Sequence, residues 1–313
     1  MQMSLYLVTG GGGFIGSNIV SALLDRGDQV RVLDNFSTGR RANLSAFADR
    51  IEIIEGDIRS YHIVQEAVAD VDFVLHQAAL PSVPRSVRDP ITTDQVNVMG
   101  TLNVLQAARD ANVKRLVYAS SSSVYGDTPL LPKHEGMPSC PLSPYAISKL
   151  AGEQYCQSFW RLYGFETVCL RYFNVFGPRQ DPTSQYSAVI PRFIKAMLQK
   201  QPIAVHGDGQ QSRDFTYVAN VIQANLLACS VPNAAGQVLN IACGERHSLL
   251  DLIGLLAKIT GVTPMVTHSA ARQGDVAHSQ ADIMAARRIL SYAPVVSFEQ
   301  GLEQTVAWYR DSQ

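Results

Sequence analysis

The sequence predicts an α/β protein: a doubly wound parallel sheet followed by a smaller mixed α/β region. Three observations carry the prediction. Short β-branched runs alternate with longer helical patterns over the first 175 residues, the order that builds parallel βαβ units with helices on both faces. A glycine cluster, "TGGGGFIGS", closes the first run. From about Gly177 the texture changes, as Pro178, Pro182, Pro191, Pro202, Gly207 and Gly209 shorten and mix the elements.

In order, "LYLVT" (5–9) reads as a buried strand and Phe14 to about Arg26 as the helix after it. "QVRVLD" (29–34) is the second strand; "RIEIIEGD" (50–57) is the third, with a helix near 60–69. "DFVLHQAA" (72–79) is the fourth, followed by a helix near 95–111. "KRLVYASS" (114–121) is the fifth. A long helix from about Pro144 to Tyr163 leads to the sixth, "ETVCLRYFNV" (166–175). Residues 1–175 are therefore expected to form a nucleotide-binding domain with later segments interwoven, and 176–313 a substrate region, with a cleft between them. No internal repeat or low-complexity segment interrupts this order.

Composition removes several classes of function. Of the 313 residues, 46% are apolar and 17% charged, ordinary for a compact globular chain. Lys and Arg number 26 against 27 Asp and Glu, a net charge of −1. Nucleic acid and an anionic membrane surface are therefore not expected partners. No apolar run nears the ~20 residues of a membrane span. The chain enters "SLYLVTGGGG" without a leader pattern, so a cytoplasmic location is expected. The five cysteines are odd in number and scattered without a CxxC, as for reduced thiols. The seven histidines show no HxxxH pair, and no metal site is expected.

Gly10, Gly13 and Gly16 follow the first strand and open a helix at Phe14 and Ile15. Glycine there permits a tight turn and close backbone approach to a pyrophosphate, and the helix start supplies free N–H groups. The second strand ends in Asp34, whose carboxylate suits the two ribose hydroxyls of adenosine and repels a 2′-phosphate. This favours NAD over NADP, with Arg40 and Arg41 pulling the other way. Asp57, after the third strand, reads equally as an adenine contact or a helix N-cap. Tyr145 and Lys149 stand at i and i+4 in "YAISK", on one helix face. An ammonium and an oxidised nicotinamide nearby would both favour the phenolate over its free pKa of about 10, making Tyr145 a general base. Ser121 ends the fifth strand, on the sheet edge where ligands bind.

With these motifs in order, together with "HQAA" (76–79), "SSSSVYG" (120–126) and "RYFNVFG" (171–177), nearly the whole chain resembles the extended short-chain dehydrogenase/reductase family. The resemblance implies a Rossmann-type fold with bound NAD. Its implied cofactor contacts are Gly10, Gly13, Phe14, Ile15, Gly16, Asp34, Asn35, Ser37, Thr38, Gly39, Asp57, Ile58, Gln77, Ala78, Ala79, Asn97, Tyr145, Lys149 and Tyr172. The implied catalytic set is Ser121, Tyr145 and Lys149. The serine run leaves the catalytic position open by one residue, and Ser123 also reads as part of a turn rich in local hydrogen bonds.

Within the family the chain most resembles UDP-sugar 4-epimerases, and among them the bacterial UDP-GlcNAc 4-epimerases. Such enzymes oxidise C4, let the 4-keto sugar rotate, and reduce it from the other face. 4,6-Dehydratases and UDP-glucuronate decarboxylases carry acids where this chain has Ser122 and Ser123. The resemblance implies a UDP clamp of Asn174, Arg213 and Arg272, a ribose contact at Asp275, and uracil contacts at Ala188, Val189 and His206. Ser82, Ser122 and Gln180 would line the sugar site. Ser279 stands where enzymes restricted to non-acetylated sugars carry tyrosine, which leaves room for an acetamido group. Pro81 departs from the subgroup's glycine and stiffens the loop before Ser82. The expected activity is interconversion of UDP-GlcNAc and UDP-GalNAc, extending to UDP-glucose and UDP-galactose, in a homodimer built on the helices near 95–111 and 144–163. Alternatives are a 4-epimerase of UDP-uronic acids, with Arg85 meeting the carboxylate, a dehydratase, or a non-catalytic NAD-binding protein.

Overall fold

A computed structural model describes residues 3–181, 189–270 and 277–311. The chain begins with β1 (Leu5–Thr9), α1 (Phe14–Asp25), β2 (Gln29–Asp34), β3 (Glu52–Glu55), α2 (Tyr61–Ala67) and β4 (Phe73–His76). Short helices α3 (Val83–Arg88) and α4 (Pro90–Asp94) precede α5 (Gly100–Asp110) and β5 (Arg115–Ser121). The expected helix near 95–111 is thus interrupted: residues 95–99 form a π-helical turn. Next comes α6 (Pro144–Tyr163), whose start follows from local chemistry: the Ser143 hydroxyl accepts from the Ala146 N–H, and Pro144 fills a position that needs no donor. Gly164, at φ 66°, ends it in the left-handed conformation.

The sixth strand, β6 (Thr167–Tyr172), stops short of the expected Val175 because Asn174 takes φ 33°. Beyond it lie β7 (Val175–Phe176), α7 (Val189–Leu198), β8 (Ile203–His206), β9 (Ser212–Arg213), β10 (Thr216–Tyr217) and α8 (Val218–Ser230). The remainder is β11 (Val238–Ile241), β12 (His247–Ser248), α9 (Leu249–Thr260), β13 (Val266–Ser269), α10 (Met284–Leu290) and α11 (Phe298–Asp311).

The central sheet has seven parallel strands in the order β11-β6-β5-β4-β1-β2-β3. This is the doubly wound fold the alternation predicted. Strand order reverses between β1 and β4, so a crevice opens outside their carboxyl ends. Alternation along the strands feeds a core on each face: Tyr6 and Val8 pack with α1 and α8, while Leu7 packs with α2 and α5. Later segments complete the first of these cores, since Val221, Ala224, Leu239, Ile241, Ala286 and Leu290 belong to it. A third core, from Phe176 to Tyr309, gathers α7, α9 and α11 around Phe215 and Phe298. No described helix is long and apolar enough to cross a membrane.

Candidate active site

At the crevice, the turn after β1 leaves no room for side chains. Gly10 sits at φ 69°, and a Cβ there would lie 2.8 Å from the Ala78 backbone; one at Gly16 would lie 2.2 Å from the Gly10 carbonyl oxygen. The N-cap of α1 is Gly13, with no capping side chain and no acid in the first turn. Phe14, Ile15 and Gly16 thus begin a helix whose first N–H groups face an open cradle, which fits a dinucleotide diphosphate.

Asp34, at the end of β2, lies against the glycine turn. It is buried, with Oδ2 accepting from Gly12 N at 2.8 Å and Oδ1 from Phe36 N at 2.8 Å. Burial raises its pKa, and these two bonds oppose the rise. Asn35, Ser37 and Thr38 are exposed beside it, and Gly39 packs so closely that a Cβ would sit 2.9 Å from Asp34 Oδ2. Arg40 pairs with Asp181 at 2.5 Å, and Arg41 pairs with Glu55 and lies over the Phe36 ring. Both arginines are thus engaged with carboxylates, in keeping with NAD rather than NADP. Asp57 binds Arg59, which holds its carboxyl below the usual range, and accepts from Asn35 Nδ2 at 2.9 Å. Ile58 is buried behind it.

The Gln77 amide meets Tyr172 Oη at 3.2 Å and Asn225 Oδ1 at 3.2 Å, a polar cluster across β4, β6 and α8. The Ala78 N–H reaches Thr9 Oγ1 at 3.3 Å, and Ala79 is half-buried beside it. Asn97 lies on the π-helical turn. The π-helical turn aims it inward, where Oδ1 accepts from Leu80 N at 2.8 Å and Nδ2 donates to Ser148 Oγ at 3.0 Å. It fixes the loop before Ser82 to the catalytic helix.

Ser121, Tyr145 and Lys149 come together at the carboxyl edge. Ser121 pairs in register with Tyr172 at the end of β5. Its hydroxyl hydrogen-bonds the Tyr145 phenol, which opposes the rise that burial imposes on the phenol's pKa. Of the serine run, Ser121 is the one that reaches Tyr145. Ser120 turns away to Glu153, Ser122 begins a 3₁₀ turn, and Ser123 Oγ is buried without a partner among the described residues. Lys149 is 4% exposed; Nζ donates to the Ala119 carbonyl at 2.8 Å and lies 5.0 Å from the Tyr118 ring centroid. Burial pushes its pKa down to about 8, opposed by Cys156 and Glu153. The ammonium is aimed at Ala119, and desolvation leaves the phenol raised.

In the C-terminal half, a cavity of about 270 Å³ is lined by Asn174, Val189, His206 and Arg213, brought together from four stretches of sequence. Phe176, Arg192, Gln211 and Phe215 share the wall; scattered through the irregular C-terminal half, they carry no motif. His206 lies at the end of β8 with Nδ1 on Ser269 Oγ at 2.8 Å. Ser82 is buried and spends its hydroxyl capping α3, where it accepts from Arg85 N at 3.1 Å. Gln180 donates to Val175 O at 3.3 Å and leaves Oε1 without a partner among the described residues. Ser279 is buried, its backbone paired to Ser212 O at 3.0 Å. Ala188, Arg272 and Asp275 lie outside the described residues. Among the described residues there is no cluster of potential metal ligands.

Three further groups escaped the sequence reading. His76, within the quoted "HQAA", is buried between Thr9 Oγ1 at 2.7 Å and Thr101 Oγ1 at 3.0 Å, and burial holds it neutral with a pKa of about 3. Ser86 accepts the Tyr145 N–H at 3.1 Å, an orphan donor of α6 capped from another helix. Glu153 repeats the i+4 step from Lys149, the one signal that could have found it.

The chain matches the model of the NAD dependent epimerase/dehydratase family over residues 6–242. It is 39% identical to the UDP-N-acetylglucosamine 4-epimerase from Methanobrevibacter ruminantium M1, solved in complex with UDP-N-acetylmuramic acid, with a TM-score of 0.95 and 100% of both chains covered. The UDP-glucose 4-epimerase of Thermotoga maritima, solved with UDP-glucose, is 36% identical with a TM-score of 0.94, covering 98% of this chain and 99% of that one. The UDP-glucose 4-epimerase of Mycolicibacterium smegmatis is 37% identical, over 97% of this chain and 98% of its own.

Proposed function

The chain belongs to the NAD dependent epimerase/dehydratase family, and from that premise we propose that it is an NAD-dependent 4-epimerase of UDP-sugars. One observation carries the reading: the Tyr145 phenol is hydrogen-bonded to Ser121 and shares a helix face with the buried Lys149 ammonium, on the same sheet edge as the glycine cradle.

Gly10, Gly13, Gly16 and the start of α1 hold the NAD diphosphate, and Asp34 the adenosine ribose. When bound, NAD supplies the reversible redox chemistry at C4 of the sugar. Tyr145 takes the proton of the C4 hydroxyl and returns it to the rotated sugar. Burial raises the phenol's pKa above its ordinary value, so it is the positive charge gathered at the site, Lys149 included, that favours the phenolate. Ser121 hydrogen-bonds the reacting oxygen. Asn174 and Arg213, on the cavity wall, hold the nucleotide end with Arg272 and Asp275, and arginine suits a diphosphate because its charge is permanent and its fork bidentate.

Ser279 leaves room for a C2 acetamido group, so UDP-GlcNAc and UDP-GalNAc are the preferred pair and the non-acetylated pair a second one. Residues 176–313 form the sugar-nucleotide region. A second copy covers the face where Val87, Ile91, Ile147 and Tyr155 stand exposed on helices α3, α4 and α6, giving a cytoplasmic homodimer. Incubation with UDP-GlcNAc and UDP-glucose separately, followed by chromatographic resolution of the epimers, tests the reading. Conversion of UDP-GlcNAc supports it, and conversion of UDP-glucose alone removes the acetamido argument. Turnover of neither, with NAD added, refutes the assignment.

A further inference from the structure

Behind Tyr145 and Lys149 lies a buried ion pair that the chemistry above does not use. Glu153 is 1% exposed and Arg171 5%. Arg171 Nε donates to Glu153 Oε1 at 2.9 Å and Nη2 to Oε2 at 2.7 Å, a bidentate pair. The Ser120 hydroxyl also closes on Oε1. Burying two charges is costly, and an apolar pair of similar volume is often as stable. Stability is therefore a weak reason for this pair. Its position is a stronger one: Glu153 lies one helical step beyond Lys149 on the same face, and Ser120 directly precedes Ser121.

The surroundings of Lys149 single out this carboxylate. From α6 come Tyr145, Glu153 and Cys156. From β5 comes the Tyr118 ring, and from β4 the neutral His76. From β6 come Cys169, whose thiol burial keeps protonated, and Arg171, committed to Glu153 and stacked 4.7 Å from the Tyr125 ring. Arg85, Arg88, Asp89 and Asp94, on the helices packed against α6, are exposed or half-exposed. Cys156 and Glu153 both oppose the loss of charge that burial imposes on Lys149, and of the two Glu153 is the carboxylate, bidentate with Arg171.

We propose that Glu153 is a positioning residue for the reaction: its carboxylate keeps Lys149 an ammonium and, through Ser120, sets the strand end from which Ser121 reaches the phenol. The inference rests on the roles assigned above to Tyr145 and Lys149. Removing a charge one helical turn away should lower the Lys149 midpoint by about one pH unit. Starting from about 8, the charged fraction at pH 8 then falls from about half to about a tenth, a loss of about fivefold. At pH 6 both forms stay charged and the loss vanishes.

The test is Glu153→Gln, compared with the wild type at pH 6 and pH 8 in the holoenzyme. In parallel, the 13Cε signal of Lys149 in lysine-labelled protein is titrated, identified by its absence from Lys149→Met. The expected result is a kcat deficit at pH 8 that recovers at pH 6, an unchanged KM for the UDP-sugar, and a lowered Lys149 midpoint. Equal deficits at both pH values with an unmoved midpoint would overturn the proposal and leave Glu153 a structural residue. Because Arg171 is stranded in that variant, Glu153→Gln is also combined with Arg171→Met, which removes both charges and should leave the midpoint below that of the wild type but above that of Glu153→Gln alone. Glu153→Asp, which keeps the charge, should restore much of the pH 8 activity. If the wild type turned over no nucleotide sugar, the functional reading would fall, while the Lys149 titration would still decide the electrostatic role.

Discussion

Replacing Lys149 by methionine should stabilise the cofactor-stripped protein while abolishing its activity. The ammonium is 4% exposed and donates to Ala119 O at 2.8 Å. Burial pulls its pKa from 10.5 to about 8. A difference of about 2.5 units, at 1.36 kcal/mol each, means that keeping the charge costs about 3 kcal/mol at pH 7. Methionine removes that cost but strands the Ala119 carbonyl, at about 1 kcal/mol. The variant should gain about 2 kcal/mol, or about 3 °C in Tm for a chain of this length. The sign follows from linkage. The folded pKa lies below the unfolded one, so the cost is complete below pH 8 and disappears as pH rises through about 10.5. Thermal unfolding followed by circular dichroism from pH 6 to pH 10 should show a gap that is constant up to pH 8 and closes near pH 10. A variant less stable than the wild type at pH 7, or a gap indifferent to pH, would refute the reasoning.

Three other substitutions address the site. Tyr145→Phe should lower kcat by about 10²–10⁴ with folding and UDP affinity retained; undiminished turnover would remove Tyr145 as the base. Gly16→Ala puts a Cβ 2.2 Å from the Gly10 carbonyl oxygen, so the protein should purify without bound nucleotide, read by chromatography of the heat-released cofactor. Stoichiometric NAD in that variant would contradict the cradle. Ser279→Tyr should abolish turnover of UDP-GlcNAc and spare UDP-glucose; equal losses on both would show that position 279 is not the gate.

What the sequence disclosed was what short segments decide alone. The glycine turn, Asp34 at a strand end and the i+4 pair of Tyr145 and Lys149 are each set within one or two elements, and a linear reading recovers them. Where β6 ends was less visible, because Asn174 leaves the strand at a positive φ that no propensity dictates. The direction of Asn97 was not visible either, because it is set by a π-helical turn inside what reads as one continuous helix. Which serine serves Tyr145 depends on the pairing of Ser121 with Tyr172, a long-range register. The i+4 step from Lys149 hints at Glu153, but its pairing with Arg171 and the wall containing Arg192 and Phe215 join residues from separate elements, which neighbouring sequence does not disclose.

The late arrival of β11 bears on how the protein is made. β6 is buried along its whole length and reads "TVCLRY", a hydrophobic segment whose outer edge is covered only when Val238–Ile241 pair with it. About 70 residues separate the two strands, so at usual translation rates that edge is bare on the ribosome for roughly 4–14 s. An unpaired apolar strand edge invites intermolecular pairing. Chaperone dependence during synthesis, and insolubility of a product truncated before Val238, are the expected consequences of this order of strands.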